Sequence, residues 1–353
     1  MADKRLSIIV PVYKAAQTVC RALDSVYSQL SGELLNSVEI IAVNDASPDN
    51  SADVLREYQG VHPSLKILTH VRNLGAAAAQ NTGEDGSSGE YFLRLDSDDA
   101  MRPGSIRKLL DIIETHKPDI VFYPFHVVDT AGGHVGDTKI IGSGLYHIDD
   151  RRPASVEVLF YEIAFGIMTP RVAYRRATAP GLRQEARYPV SEDRYFGWQF
   201  FREARTVYVL NDMVVDYYQC PDSLSRSKPS DRAIRGLLEL DERFWKEFCA
   251  EGRFSHGRRF AFRRLFPALT GWHYDIVFSG GGRVKEHEDL YFRAMEAYLN
   301  SLAAYLELGL WPIYLRLAVK LRSRIMVRIY WALHDCLWIR GRRKLSRLIW
   351  GRS

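Results

Sequence analysis

Short apolar runs alternate with helically spaced apolar residues through the first 125 or so positions, and this alternation restricts the chain to one broad class of fold. The runs are Ser7–Val12 (SIIVPV), Val38–Val43 (VEIIAV), Leu65–Thr69, Tyr91–Leu95 and Asp119–Tyr123 (DIVFY). Apolar character that continues over five or six residues predicts strands covered on both faces, as in a largely parallel sheet. Between them, Val19, Leu23, Val26 and Leu30 fall on one helix face, as do Ile106, Leu109, Leu110 and Ile113. Strand–helix–strand alternation predicts an α/β, doubly wound, mostly parallel sheet, whose ligands bind outside the carboxyl ends of the strands. The residues just after each strand are therefore where chemistry is expected.

Further along, Thr130–Gly144 is glycine-rich and reads as a loop or hairpin, and residues 155–230 mix both signals, with strands at Val207–Val209 and Val214–Tyr218. From Asp231 to about residue 310 the pattern is mostly helical, interrupted by Ser279–Arg283 (SGGGR). The expected division is 1–230 for the α/β domain, 231–310 for a helical extension and 311–353 for a basic tail. Four dispersed cysteines (Cys20, Cys220, Cys249, Cys336) suggest thiols in a reducing compartment, without zinc-type or disulfide spacing. A strand that starts at Leu6 leaves no room for a signal peptide, and no apolar stretch reaches the roughly 18 to 20 residues of a membrane span. The expectation is cytoplasmic residence.

Three strand ends carry polar punctuation: Pro11-Val12-Tyr13, Asn44-Asp45-Ala46-Ser47 and Asp96-Ser97-Asp98-Asp99. Each alone has a plain explanation, since Asn44–Ser47 can cap the helix starting near Ser51 and an acidic turn can be solvated. Together they converge on one crevice. Three carboxylates within four residues repel one another unless a cation or donors absorb the charge. Hard oxygen ligands at a strand end suit Mg²⁺ or Mn²⁺, which bridge to phosphate oxygens and stabilise a departing diphosphate. No G-x-x-x-x-G-K-[ST] loop is present and no G-x-G-x-x-G follows the first strand, which argues against ATPase and dehydrogenase chemistry.

These motifs together resemble the family-2 glycosyltransferases of the GT-A fold. The resemblance runs over most of residues 6–230 and rests on SIIVPVYKAAQTVCRALDSVYSQ (Ser7–Gln29), VEIIAVNDASPDNSADVL (Val38–Leu55), RNLGAAAAQNTG (Arg72–Gly83), EYFLRLDSDDAMRPGSI (Glu90–Ile106) and SEDRYF (Ser191–Phe196). It implies a GT-A catalytic domain over 1–230 of the inverting, nonprocessive bacterial type. It also implies a UDP-sugar donor and a saccharide or lipid-linked saccharide acceptor, as in exopolysaccharide, capsule or lipopolysaccharide synthesis. By the same resemblance Pro11, Tyr13 and Asp45 hold the nucleotide base, with Asp45 accepting from the uracil ring N–H. Asp96 and Asp98 form the D-x-D pair, Asp96 nearer the ribose and Asp98 on the metal, with Asp99 as an alternative ligand. Arg72 contacts the nucleotide or its phosphates.

Glu192-Asp193 resembles the acidic pair that supplies the base of a single displacement, with Asp193 as the base and Glu192 orienting the site. The plain alternative is a carboxylate pair stabilising the amino end of a helix. The chain departs from the family pattern at Gln80, where an arginine is usual, and at Gln219-Cys220-Pro221, which lacks the histidine that often completes the metal site. Ser223, Ser225 and Arg226 either close over the diphosphate or form a plain loop. No Q-x-x-R-W run is present, which argues against a processive synthase. Two further readings stay open: nucleotidyltransfer on a similar core, which would want a glycine-rich loop in place of Pro11–Lys14, and a non-catalytic membrane-bound nucleotide-binding scaffold.

The formal charge of +5 is unevenly spread. From residue 313 onward eleven Lys and Arg face one acid, Asp335, so the tail carries +10 and the preceding chain −5. Arg316, Lys320, Arg324 and Arg328 recur every four residues beside a stripe of Leu317, Leu321, Ile325, Ile329 and Ala332. With Trp331 and Trp338 at hand, this pattern predicts a helix lying on an anionic membrane and hence a peripheral position on the inner face of the cell membrane. The alternative is packing against the body of the protein or pairing in a homo-oligomer. Nucleic acid is not expected, because no binding fold accompanies the charge.

Overall fold

The computed structural model describes residues 4–137, 143–148, 172–187, 192–219, 230–250 and 285–301, together with positions 319, 322 and 326. They fall into two compact units, 1–228 and 229–353.

The first unit is built on an eight-stranded sheet. Its centre comprises β1 (Leu6–Val12), β2 (Val38–Asn44), β3 (Leu65–Thr69) and β4 (Tyr91–Arg94). β5 (Ala100–Met101), β6 (Ile120–Phe122), β7 (Phe125–Val128), β8 (His134–Asp137), β9 (Gly144–His147), β10 (Val172–Arg175), β11 (Thr206–Val209) and β12 (Val215–Tyr218) follow. The large sheet has the order β3-β2-β1-β4-β10-β6-β11-β9, and a four-stranded sheet has the order β5-β12-β7-β8. Ile8, Ile9 and Val10 are all fully buried, which explains the continuous apolar run in β1: both faces of the strand are covered. α1 (Val19–Tyr27), α3 (Ser51–Val61), α4 (Ala76–Asp85) and α5 (Ser105–His116) flank the sheet, and the short α2 (Glu33–Ser37) precedes β2. α4 lies so close to β1 that a Cβ on Gly83 would stand 2.3 Å from Ile9 Cγ2, so only glycine fits there.

The strand order places the site. β1 has β2 on one side and β4 on the other, both parallel to it, so the chain reverses its direction of travel across the sheet at β1. A crevice opens outside the carboxyl ends at such a switch point. The sheet is mostly parallel, as its sequence predicts, but β10 runs antiparallel to both β4 and β6, and β9 is antiparallel to β11. The glycine-rich stretch after Thr130 contributes the outer strand of an antiparallel β7–β8 hairpin and the edge strand β9.

α6 (Glu192–Glu203) follows β10 in the chain and packs Phe196 and Phe200 against Tyr174 of β10, with centroids 5.4 and 4.6 Å from its ring. The second unit contains α7 (Asp231–Ala250) and α8 (Lys285–Ser301), in line with the helical pattern after Asp231. Within it Val319 is buried, and Arg322 pairs with Asp289 of α8. No helix among the described residues is long and apolar enough to cross a membrane.

Candidate active site

The acidic turn grows directly out of β4. Leu95 N–H donates to Ile9 C=O at 2.9 Å, prolonging the β1–β4 pairing, and Asp99 N–H then closes onto Asp96 C=O at 3.0 Å. Carboxylate oxygens of Asp96, Asp98 and Asp99 lie within 4.8 Å of one another. Asp99 is fully buried; its Oδ1 accepts the Tyr218 N–H at 2.9 Å, while its Oδ2 has no hydrogen-bond partner among the described residues. An orphaned buried oxygen of this kind is costly and asks for a donor or a cation. Arg21 braces the turn: its Nη2 donates to Asp98 C=O at 2.5 Å, and its guanidinium lies 3.7 Å from the centroid of the Tyr218 ring.

Loss of hydration pushes the Asp96 carboxyl up to about 7, and the neighbouring charges of Asp98 and Asp193 add to this while Arg94 opposes it. Burial likewise raises Asp99 well above the usual carboxylate range, with Asp96 and Asp98 contributing. The charge of Asp193 felt at Asp96 matters most, because ninety-seven residues of sequence separate the two groups. The first turn of α6 brings Asp193 into the field of the acidic cluster. Asp193 also stands at the amino end of that helix, where the helix-dipole reading would put it. Of Glu192 the structure describes the backbone, as the first residue of α6; Arg226, with Ser223 and Ser225, lies outside the described residues.

A charge buried beneath this site escapes motif reading. Arg94, inside the apolar run of β4, donates through Nε and Nη2 to Glu84 Oε1 at 3.1 and 2.5 Å, and both side chains are almost wholly buried. Its guanidinium also sits 4.1 Å from the Phe196 ring centroid on α6. The visible signal in the sequence is a lone arginine in a strand otherwise covered on both faces.

Asp45 is buried at the end of β2. Its Oδ1 accepts from Leu74 N–H at 2.8 Å and lies 2.7 Å from His70 Nδ1, while its Oδ2 accepts from Gly75 N–H at 2.8 Å. The carboxylate thereby clamps the loop between β3 and α4, which carries the exposed Arg72. Gly75 makes the clamp possible, since its φ of +92° turns the chain into α4 in a conformation that side chains disfavour. The turn at Asn44–Ser47 does not cap α3: Asn44 Oδ1 accepts Ser47 N–H at 3.1 Å within the turn, and Asp49 receives Ser51 N–H instead. Ala46 and Lys14, at the ends of β2 and β1, have φ of 51° and 52°. Left-handed non-glycine residues at two adjacent strand ends mark strain of the sort that gathers at binding sites. Tyr13 is 43% exposed beside Lys14, and Pro11 pairs with Val43 at the end of the β1–β2 register. Asp45 and Asp96 follow strands on either side of β1, two strand spacings or about 10 Å apart.

The titration of Asp96 has a measurable consequence. A carboxyl that keeps its proton up to about 7 when folded, against about 3.9 when unfolded, makes the native state the better proton binder between those values. Stability of the metal-free protein is therefore expected to fall as pH rises from about 4 to about 7, and thermal unfolding of Asp96→Asn is expected to show a shallower decline. Parallel profiles for wild type and variant would contradict the burial argument.

Residues 7–178 match the family described as glycosyl transferase family 2. Among curated proteins, the uncharacterized glycosyltransferase EpsJ of Bacillus subtilis (strain 168) is 27% identical over 252 residues, covering 70% of this chain and 68% of EpsJ. The minor teichoic acid biosynthesis protein GgaB of the same organism is 29% identical over 146 residues, 40% of this chain and only 16% of GgaB. Among solved structures, S. aureus TarS 1–349 in complex with UDP superposes with a TM-score of 0.71 at 16% identity, covering 96% of this chain and 92% of that one. The same TarS fragment in complex with UDP-GlcNAc gives a TM-score of 0.73 over 92% and 91%. TarS thus shares the α/β fold, and the segment 7–178, close to half of the chain, belongs to glycosyl transferase family 2.

Proposed function

We propose that the chain is an inverting glycosyltransferase that moves one sugar from a UDP-sugar to a saccharide or lipid-linked saccharide acceptor in cell-surface glycan synthesis. The observations that carry this reading are the Asp96, Asp98 and Asp99 carboxylates within 4.8 Å of one another at a strand end, together with the charge of Asp193 felt at Asp96. Together they support a base close to a diphosphate site. Support for the donor comes from TarS, solved with UDP and with UDP-GlcNAc, and for the setting from GgaB, named for teichoic acid biosynthesis.

The residues fit a divalent cation. Three mutually repelling carboxylates, two of them holding their protons unusually tightly, and one orphaned buried oxygen are what a Mn²⁺ or Mg²⁺ ion would relieve. Asp98 would hold it together with Asp96 and Asp99. When bound, such an ion supplies positive charge to the departing diphosphate.

The protein's own groups do the rest. Asp193 accepts the proton of the acceptor hydroxyl as that oxygen attacks the anomeric carbon from the face opposite the nucleotide. A new C–O bond forms there, the bond from the anomeric carbon to the diphosphate oxygen breaks, and the configuration inverts in one displacement. Pro11, Tyr13 and Asp45 line the base end, with Asp45 accepting from the uracil ring N–H; Asp45 also fixes the loop of Arg72, which is assigned to the phosphates. Glu192 for the acceptor side and Arg226 for the diphosphate are assignments from the sequence, since the side chain of Glu192 and the whole of Arg226 lie outside the described residues. A screen of UDP-sugars for acceptor-dependent UDP release, with proton NMR of the product anomer, tests the proposal. Inverted product from at least one UDP-sugar is expected; a retained configuration, or no UDP released from any donor, would overturn it.

The basic tail extends the proposal to location. Residues 311–353, of which only 319, 322 and 326 are described, would bring the enzyme to an anionic membrane carrying its acceptor, on the cytoplasmic side. The ion pair of Arg322 with Asp289 ties one basic residue of the tail to α8, so packing and surface binding can share the segment. Full-length protein is expected to sediment with phosphatidylserine vesicles at low salt and to be released as salt rises. Indifference to vesicles at low salt would leave packing as the tail's role.

A further inference from the structure

A second polar cluster lies in the same unit, on the four-stranded sheet. His126 on β7 stands opposite Asp216 on β12, and its Nδ1 lies 2.8 Å from Asp216 Oδ1. Arg102 Nη1 donates to that same oxygen at 2.5 Å, so the carboxylate gathers two donors. Arg102 Nη1 also lies 3.0 Å from His126 Nδ1; with the proton on Nδ1 and donated to Asp216, the lone pair of Nε2 turns toward the β7–β8 hairpin. Nε2 meets His134 Nδ1 at 2.6 Å, and Asp137 Oδ1 lies 3.8 Å from the first nitrogen and 3.9 Å from the second. His134 and Asp137 are the first and last residues of β8.

We propose that His126, His134 and Asp137 form a zinc site separate from the acidic cluster. A triangle with sides of 2.6, 3.8 and 3.9 Å has a circumscribed radius of about 2 Å, so one point lies a Zn–N bond length from all three atoms. Tetrahedral ligands at that bond length stand about 3.3 Å apart, so the two nitrogens must separate by less than about 1 Å. His134 has the room, with 58% of its side chain exposed, and it needs only to move its proton from Nδ1 to Nε2. Two imidazoles with one carboxylate match the borderline softness of Zn²⁺ better than that of Mg²⁺, which prefers an all-oxygen shell. The Asp216–His126 pair is the outer-shell arrangement that fixes a metal-binding imidazole in the right tautomer. The charges also suit a cation: Asp137 and Asp216 carry two negative charges against the one positive charge of Arg102.

The site has a structural use. β8 is the outer strand of its sheet, and the metal would pin it to β7 and, through Asp216, to β12. β12 is the strand whose Tyr218 N–H holds the buried Asp99.

The test uses full-length protein stripped with chelator, reloaded with Zn²⁺ alone and passed through gel filtration before elemental analysis. Wild type should retain one equivalent, and Asp98→Asn should retain it equally. His134→Ala, at an exposed position, and Asp137→Asn should each bind at least about ten-fold more weakly, and Asp216→Asn about 10- to 100-fold more weakly. Zn²⁺ retained equally by His134→Ala and Asp137→Asn, lost in Asp98→Asn, or absent from wild type would each overturn the assignment.

Discussion

Replacing Asp193 by Asn should lower the rate of sugar transfer by about 10²–10⁴-fold while leaving affinity for the UDP-sugar close to wild type. The amide keeps the shape of the side chain but cannot take the proton of the acceptor hydroxyl. Donor affinity should survive because the nucleotide is assigned to the strand ends around Asp45 and Asp98, whereas Asp193 enters from the first turn of α6. The competing role is stabilisation of the helix dipole, worth about 0.3–1 kcal/mol and visible as a small drop in Tm. Single-turnover rates beside equilibrium donor binding separate the two. A variant with a normal chemical step and only a lowered Tm would return Asp193 to the helix-end role.

Arg94→Met should be the most destabilising single change near the site, costing about 3–5 kcal/mol, because it strands the Glu84 carboxylate in the core. Both side chains of the pair are 2% exposed or less, and no solvent can replace the lost partner. Arg94→Met combined with Glu84→Gln removes both charges and should recover most of the stability, though not the wild-type pH dependence. Among the described residues Arg94 is the neighbour that lowers the Asp96 carboxyl, so without it Asp96 ionises at higher pH. The activity profile of the double variant should shift in the same direction. Chemical denaturation reads the first effect and a pH–rate profile the second. A single variant within about 1 kcal/mol of wild type would mean that the pair is not buried in solution as described.

Much of this architecture is written in the sequence because β1 to β4 are covered on both faces, and full burial leaves an unbroken apolar run. The acidic turn after β4 was equally legible, since three carboxylates in four residues have few inexpensive explanations. What escaped reading has a common physical cause. β10 is four residues long and pairs antiparallel with two strands distant in sequence, so neither its length nor its pattern announces it. Arg21 lies on an otherwise ordinary amphipathic helix, and only the fold sets its guanidinium against Tyr218. His126 and Asp216 meet across two strands ninety residues apart. Asp45 is legible as a carboxylate at a strand end, whereas its clamp on Leu74 and Gly75 depends on the path of a loop that no local pattern fixes.

On the proposed function, the crevice at the ends of β1, β2 and β4 binds a nucleoside diphosphate through a cation on the acidic cluster. Calorimetric titration of UDP into the full-length protein, with and without Mn²⁺, tests this most directly. Binding should be at least about ten-fold tighter with the cation, and Asp98→Asn should abolish that gain by replacing a charged ligand with an amide. UDP affinity that ignores Mn²⁺, or a gain that survives in Asp98→Asn, would contradict the account.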